Sequence, residues 1–206
     1  MIEVLAFLEH WRPSQSDGHA DGVPMSSRTT PRLIQPPASP RQELGLKGAM
    51  RHLVGAVSVV TAGVGDDRTG ATVTSAHSLS MEPETMLVSI NLSSSTWPVI
   101  ERHGHFCVNI LAADQIEIAD RFAGRGGLKG VDRYQGAEWT TLVTGAQALH
   151  GALASVDCDV EHIVRRHSHA LIFGAVRAVR TAPGDALVYS HGRYGTLPLP
   201  EAAVAQ

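Results

Sequence analysis

Between Asn91 and Gly104 the chain reads NLSSSTWPVIERHG, so four small hydroxyls, Ser93, Ser94, Ser95 and Thr96, stand directly before a segment opened by Pro98. Proline suits the first helical turn, where its missing N–H leaves no bond unmade. The unpaired N–H groups of a helix start carry partial positive charge, and neighbouring hydroxyls add donors, a combination suited to a phosphate. The same serines would serve equally as caps of a polar loop. Residue types alone leave both readings open.

A second candidate is GATVTSAHSLSMEP, Gly70 to Pro83, which reads as one strand. With period two, Thr72, Thr74, Ala76, Ser78 and Ser80 share a face. Small side chains there would let a flat heteroaromatic ligand reach the backbone N–H and C=O groups. Taken alone, a solvent-facing strand that uses Thr as a β-former is the commoner case. A third is RFAGRGGLKG, Arg121 to Gly130, a helix end running into a Gly-rich loop with Arg125 and Lys129. It is no dinucleotide fingerprint, because Lys129 stands where the third glycine is needed and a helix precedes it. A C-cap at Gly124 accounts for it as well. The eleven histidines form no metal spacing, and no G-x-S-x-G elbow is present, so metal chemistry and serine hydrolysis are not expected. His169, at the start of ALIFGAV, stands out by position only.

These segments need a frame to hold them. LGLKGAMRHLVGAVSVVTAG, from Leu44, is an amphipathic helical stretch passing into the β-branched run Val57 to Thr61. GVGDDRTG predicts a hairpin connection. TMLVSINL is a third strand, a short helix runs from about Pro98 to His103, FCVNILA is a strand and ADQIEIADRFAG a helix. Two long strands flank Arg166-His167-Ser168, and the first alternates Val156, Cys158 and Val160 inward with Ser155, Asp157 and Asp159 outward. DALVYSHGRY closes the domain as a final strand. Many antiparallel strands with a few inserted helices predict an α+β barrel, not a doubly wound sheet.

Six of the eleven prolines lie between Pro13 and Pro40, which predicts a flexible Pro-rich extension over residues 1–43 and a folded domain over 44–200. The apolar stripe of Ile2 to Trp11 carries Glu3 and Glu9 and lacks a basic flank, so a cytoplasmic protein is expected. Of the 206 residues 43% are hydrophobic and 18% charged, the balance of a globular chain. A net charge of −3, with no basic run longer than Arg165-Arg166, gives no footprint for nucleic acid. Cys107 and Cys158 sit in apolar strand-like runs and are read as buried thiols.

Taken in order, VSVVTAG, GATVTSAHSLSMEPETMLVSINLSSSTWPVI, FCVNILAADQIEIADRFAG, LHGALASVDCDVEHIV, SHALIFGAV and LVYSHGRYGTL resemble the flavin reductase-like family of the FMN-binding split-barrel fold. That family comprises short-chain reductases of two-component flavin monooxygenases. The resemblance spans about Arg51 to Leu197 and rests on the ordered set of motifs. It implies an antiparallel split β-barrel that binds FMN or FAD and reduces it with NADH or NADPH. By position it implies that Thr72, Thr74, Ser75, Ala76 and Ser78 cradle the isoalloxazine and ribityl chain. Asn91, Ser93, Ser94, Ser95 and Thr96 would clamp the ribityl and phosphate. Phe122, Ala123, Gly124 and Arg125 would flank the flavin, and His169 and Tyr194 would position the nicotinamide. The implied partners are a second copy of the chain and a separate flavin-dependent monooxygenase. The same fold also allows a reductase with bound FMN acting on another acceptor such as a corrinoid, or a non-catalytic flavin or haem module. Where the family commonly has Thr-Gly-Val, this chain has Gly55-Ala56-Val57. Hydride transfer needs donor and acceptor atoms held roughly 3 to 3.5 Å apart with water excluded, and no side-chain nucleophile.

Overall fold

The computed structural model describes residues 45–199; the expected N-terminal extension lies outside the described residues. In chain order the elements are α1 (Leu46–Met50), β1 (Gly55–Ala56), β2 (Ser58–Ala62), β3 (Thr69–Val73), β4 (Ala76–Met81), β5 (Glu84–Asn91), α2 (Trp97–His103) and β6 (His105–Ile110). Then follow α3 (Ile116–Phe122), β7 (Trp139–Thr141), β8 (Gln147–Leu149), β9 (Ala154–Arg166), β10 (His169–Thr181), β11 (Ala186–Ser190) and β12 (Arg193–Leu197). The architecture is mostly antiparallel sheet with a few short helices.

Seven strands form one sheet in the order β3-β2-β6-β9-β10-β5-β4. Its two edges, β3 and β4, are consecutive in the chain, joined through Thr74 and Ser75 alone. That short link curls the sheet until its edges approach. The stretch expected as one strand is therefore two, pairing with β2 on one side and β5 on the other. Period two across a break cannot keep one face, so Thr72 and Ser78 belong to different environments. A smaller sheet, β1-β11-β12, is sewn on by a ring of backbone bonds: Val57 N to Leu187 O, Leu187 N to Leu111 O and Leu111 N to Val57 O.

β2 and β3 are buried at every position, which explains why their sequences show β-branched runs and small residues in place of alternation. Inside the curl, Val60, Val88, Ile90, Ile100, Phe106, Val108 and Ile172 are fully buried. Phe106 packs on Gly174, where a Cβ would come within 2.4 Å of the ring. A second core joins Val57, Val59, Leu111, Phe122, Leu149 and Leu187 beneath α3 and the small sheet.

Three further expectations are corrected. Ser155 and Asp157 are not outward: both are buried, because the β7–β8 segment covers that face of the sheet. DALVYSHGRY is not one strand but the hairpin β11–β12, turned at His191 and Gly192, both at positive φ (51° and 80°). The helical stretch from Leu44 shrinks to α1, which buries no residue. Cys107 and Cys158 are buried free thiols, and burial raises the Cys158 thiol to about 12. No helix among the described residues is long and apolar enough to cross a membrane.

Candidate functional site

β5 ends at Asn91, which lies in register with His169, the first residue of β10. Leu92 N donates to Ser168 O at 2.9 Å, fixing the point where the two strands part. The Asn91 carboxamide oxygen then accepts from both the N–H and the hydroxyl of Ser93, each at 2.9 Å. Thr96 N donates to the Ser94 hydroxyl at 3.2 Å, which leaves the Ser94 hydrogen available to another acceptor. Ser93 and Ser95 are exposed, whereas Asn91 and Thr96 are buried. α2 spans seven residues, so an anion here would meet individual N–H and hydroxyl groups more than a long helix.

Two buried atoms in this loop have no partner among the described residues: Thr96 Oγ1 and His169 Nε2. Such orphans are uncommon in folded proteins and call for an explanation. The Ser168 hydroxyl lies 2.9 Å from His169 Nδ1. Burial holds the His169 imidazole below its ordinary 6.5, so the ring is neutral at pH 7. When Ser168 donates to Nδ1, Nε2 carries the proton and becomes an unpaired donor.

A second group forms around β12. The Tyr194 hydroxyl donates to Asp120 Oδ1 at 2.8 Å, and Arg125 Nη1 donates to the same oxygen at 2.7 Å. The Arg125 guanidinium lies 5.7 Å from the Tyr194 ring centroid, and Tyr189 meets Tyr194 edge-on at 5.4 Å. Burial first, and the Asp120 carboxylate second, push the Tyr194 phenol above its ordinary 10, so it remains a donor. Asp120 escaped the sequence reading. It is 74 positions from Tyr194, and only Arg125, five positions on, hints at its role.

The link between β3 and β4 joins the two groups into a band. The Ser75 hydroxyl donates to Ser89 O at 2.9 Å, towards the Asn91 end of β5. On its other side Thr74 packs on Gly55, where a Cβ would come within 2.9 Å of Thr74 Cβ. Gly55 is paired in turn with Tyr189. Among the described residues no hydrogen bond or ring contact directly joins His169 to Tyr194. Ala76 is half-buried and Ser78 exposed on the edge strand β4, while Ala123, Gly124 and Arg125 lie at or near the surface, Gly124 at φ 83°. Two candidates sit beneath the band. Thr72 is fully buried, and its hydroxyl donates to Ala119 O at 2.6 Å, pinning α3 to β3. Phe122 is 2% exposed, its ring packed 5.0 Å from Tyr134 and 5.5 Å from Trp139. A cavity of about 490 Å³ beside α1, lined by Arg51, His52 and His191 among others, contains none of the candidates. The band's paired geometry and orphaned atoms are better guides to chemistry than that opening, whose wall begins at the first described residue.

The flavin reductase like domain matches residues 50–198. The chain belongs to that family. Among its relatives, the FMN reductase (NADH) RutF of Stutzerimonas stutzeri (strain A1501) is 36% identical over 149 residues, covering 72% of this chain and 84% of the relative. The corresponding protein of Pseudomonas syringae pv. syringae (strain B728a) is 34% identical over 174 residues, 84% of this chain and 96% of its own. Among solved structures, BorF, the flavin reductase component of a bacterial two-component tryptophan halogenase, superposes with a TM-score of 0.70 at 29% identity, covering 75% of this chain and 98% of BorF. The flavin reductase PheA2 gives 0.66 at 28% identity, covering 74% and 96%. The family match contains every candidate residue, from Thr72 to Tyr194.

Proposed function

We propose that this protein is an NADH-dependent FMN reductase that delivers reduced flavin to a separate monooxygenase. One observation carries the reading: the match over residues 50–198 to a family whose relatives of more than 30% identity are named FMN reductase (NADH). The band fits such a ligand. It offers orphaned polar atoms at Thr96 and His169, a Ser94 hydrogen without an internal acceptor, and a backbone approach at Gly55 and Thr74 that bulky residues would close.

A bound flavin supplies the ring atom that accepts hydride from the nicotinamide. The chain's own part is to bind and orient. Ser93, Ser94, Ser95 and the N–H groups around Asn91 would meet the phosphate and ribityl oxygens. Thr74, Ser75, Ala76 and Ser78 offer the ring system a low wall, and Ala123, Gly124 and Arg125 border it. Thr72 and Phe122 act from below by fixing α3. His169, neutral and unpaired at Nε2, would hydrogen-bond the nicotinamide carboxamide without a charge to desolvate. Tyr194, whose hydroxyl donates to Asp120, would border the same ligand. The curl closed at Thr74 and Ser75 is consistent with a split barrel, and a homodimer working in the cytoplasm completes the proposal.

The test is NADH consumption by the purified protein with FMN, FAD or no added flavin, with NADPH in parallel. FMN-dependent oxidation that prefers NADH is the expected result. Flavin binding without any oxidation would overturn it.

A further inference from the structure

Outside the band a second cavity, of about 350 Å³, opens between Arg68 and residues 131–139, with Gln147 on its far wall. We propose that this cavity binds a small planar carboxylate. Two of its walls are aromatic and locked: the Tyr134 hydroxyl donates to Thr69 O at 2.6 Å, and Trp139 Nε1 donates to Tyr134 O at 3.0 Å. Tyr134 and Trp139 stand 4.8 Å apart in an edge-to-face arrangement; Tyr134 is buried, so the ring surface a flat molecule can meet is that of the half-buried Trp139, which this pairing holds in place.

The third wall is a cation. The Arg68 guanidinium lies 5.1 Å from the Tyr134 ring centroid, its Nε is buried with no partner, and it joins none of the ion pairs among the described residues. The carboxylate beside it in sequence is already committed, since Asp67 accepts from Arg102 at 2.7 Å and meets His103 Nε2 at the same distance. The hydroxyl of the next residue, Thr69, is likewise buried and unpartnered. A guanidinium stacked on a phenol and lacking an acid partner matches a carboxylate in a bidentate fork. Charge count separates carboxylate from phosphate. Arg68 is the one cationic side chain lining the cavity, which balances a monoanion but not a phosphate monoester carrying nearly two charges. The Gln147 amide adds a donor and an acceptor for the ligand's edge, and the Gln135 amide, whose nitrogen donates to Asp132 Oδ1 at 3.1 Å, leaves its oxygen as an acceptor. No residue of the flavin band lines this cavity, so the site stands whether or not the reductase reading does.

Benzoate is the probe, titrated calorimetrically into the full-length protein without flavin. Benzamide tests the charge at equal shape, acetate the charge without the plane, and phenyl phosphate the second charge. Saturable binding of benzoate, tighter than each of the other three, is the expected result. Arg68→Gln should weaken it about tenfold or more, as loss of a charge-assisted hydrogen bond does. Gln147→Ala, outside the Arg68–Tyr134 stack, should weaken it a few-fold and serves as the second variant should Arg68→Gln fail to fold. No benzoate binding at millimolar concentration, equal binding of benzamide, or wild-type affinity in both variants would overturn the site. Tighter binding of phenyl phosphate would overturn its assignment to a carboxylate.

Discussion

Two polar clusters belong to the same sheet, one on β6 and β9 and the other at the ends of β5 and β10, and they differ in whether their atoms are paired. On the face covered by β7 and β8, Asn109 Oδ1 accepts from Leu149 N at 2.7 Å and Ser155 Oγ at 2.9 Å, while its Nδ2 donates to Val59 O and Gln147 O, each at 3.2 Å. Beside it Asp157 accepts from Val143 N and Thr144 N, each at 2.8 Å, and from the Thr144 hydroxyl. In the loop around Asn91 and His169 the bonds are as short, yet Thr96 Oγ1 and His169 Nε2 have no partner. A buried network with every member satisfied rigidifies a scaffold; one with atoms left over is waiting for a ligand or water. Polarity alone does not mark a binding site. Unpaired polarity is the better guide, and it has to be clustered: His105 Nε2, near Asp157 and Asp159, is also buried without a partner, but it stands alone.

The largest effect should come from breaking the closed cluster. Asn109→Ala strands the Leu149 N–H and the Ser155 hydroxyl in the interior and takes a donor from the carbonyls of Val59 and Gln147, the latter keeping its bond from the Thr61 hydroxyl, and about 2 to 4 kcal/mol of stability should be lost. Urea unfolding reads that loss, and the fraction that remains folded should bind FMN as the wild type does. An unchanged midpoint would show that water takes the place of the carboxamide. The opposite pattern belongs to the open cluster. His169→Ala should leave the urea midpoint and FMN affinity near wild type while lowering kcat/KM for NADH roughly tenfold, the scale of one positioning hydrogen bond. Unchanged steady-state kinetics would remove His169 from the nicotinamide site.

The contrast also explains what could be read from the chain. The strand segments TMLVSINL, FCVNILA and the long pair around His167 announced themselves through β-branched runs and turn residues, and all appear as β5, β6, β9 and β10. Pro98 marked the start of α2 because its fit to the first helical turn is local, whereas the capping role open to the serines is not taken up: the helix has no side-chain cap. Alternation in β9 showed correctly that its two faces differ, but it could not show that Asp157 faces a second layer in place of water. The layer comes from residues 139–149, whose contact with β9 is a tertiary fact. The break at Thr74 was hidden for a similar reason: a strand that changes partner keeps its β-forming residues. Asp120 and Arg68 were invisible because their partners, Tyr194 and Tyr134, are set by packing between distant segments.

A smaller effect sharpens the comparison at the serine loop. Ser94→Asp puts a carboxylate where the phosphate of the proposed flavin would lie, and FMN affinity should fall roughly tenfold through like-charge repulsion at the surface. Fluorescence titration reads the change, and equal affinity would separate Ser94 from the phosphate. Thr72→Val, beneath the band, loses only the bond to Ala119 O and should cost about 1 kcal/mol of stability without a direct effect on FMN.

The smallest effect is pH-dependent and returns to the unpaired histidine. Burial lowers the folded-state pKa of His169 below the ordinary 6.5, so between those two values the unfolded chain binds more protons than the folded one. Stability is therefore fully present above pH 6.5 and falls as the pH drops through that value, levelling out once the folded-state pKa is passed. His105 is lowered as well, chiefly by burial and then by the nearby His103, and it contributes to the same window. Asp67 behaves differently: its bonds to His103 and Arg102 lower its pKa, so its contribution is lost at more acidic pH, below the ordinary 3.8. His169→Gln should thus flatten part of the slope just below pH 6.5 and leave the acid limb untouched. Bound nicotinamide that engages the neutral ring should extend the slope to more acidic pH, since keeping the proton off the filled site lowers the folded-state pKa further. Denaturation midpoints measured against pH, with and without ligands, test both statements. An unchanged slope in His169→Gln would assign the whole effect to His105 and leave the orphaned Nε2 without a role in linkage.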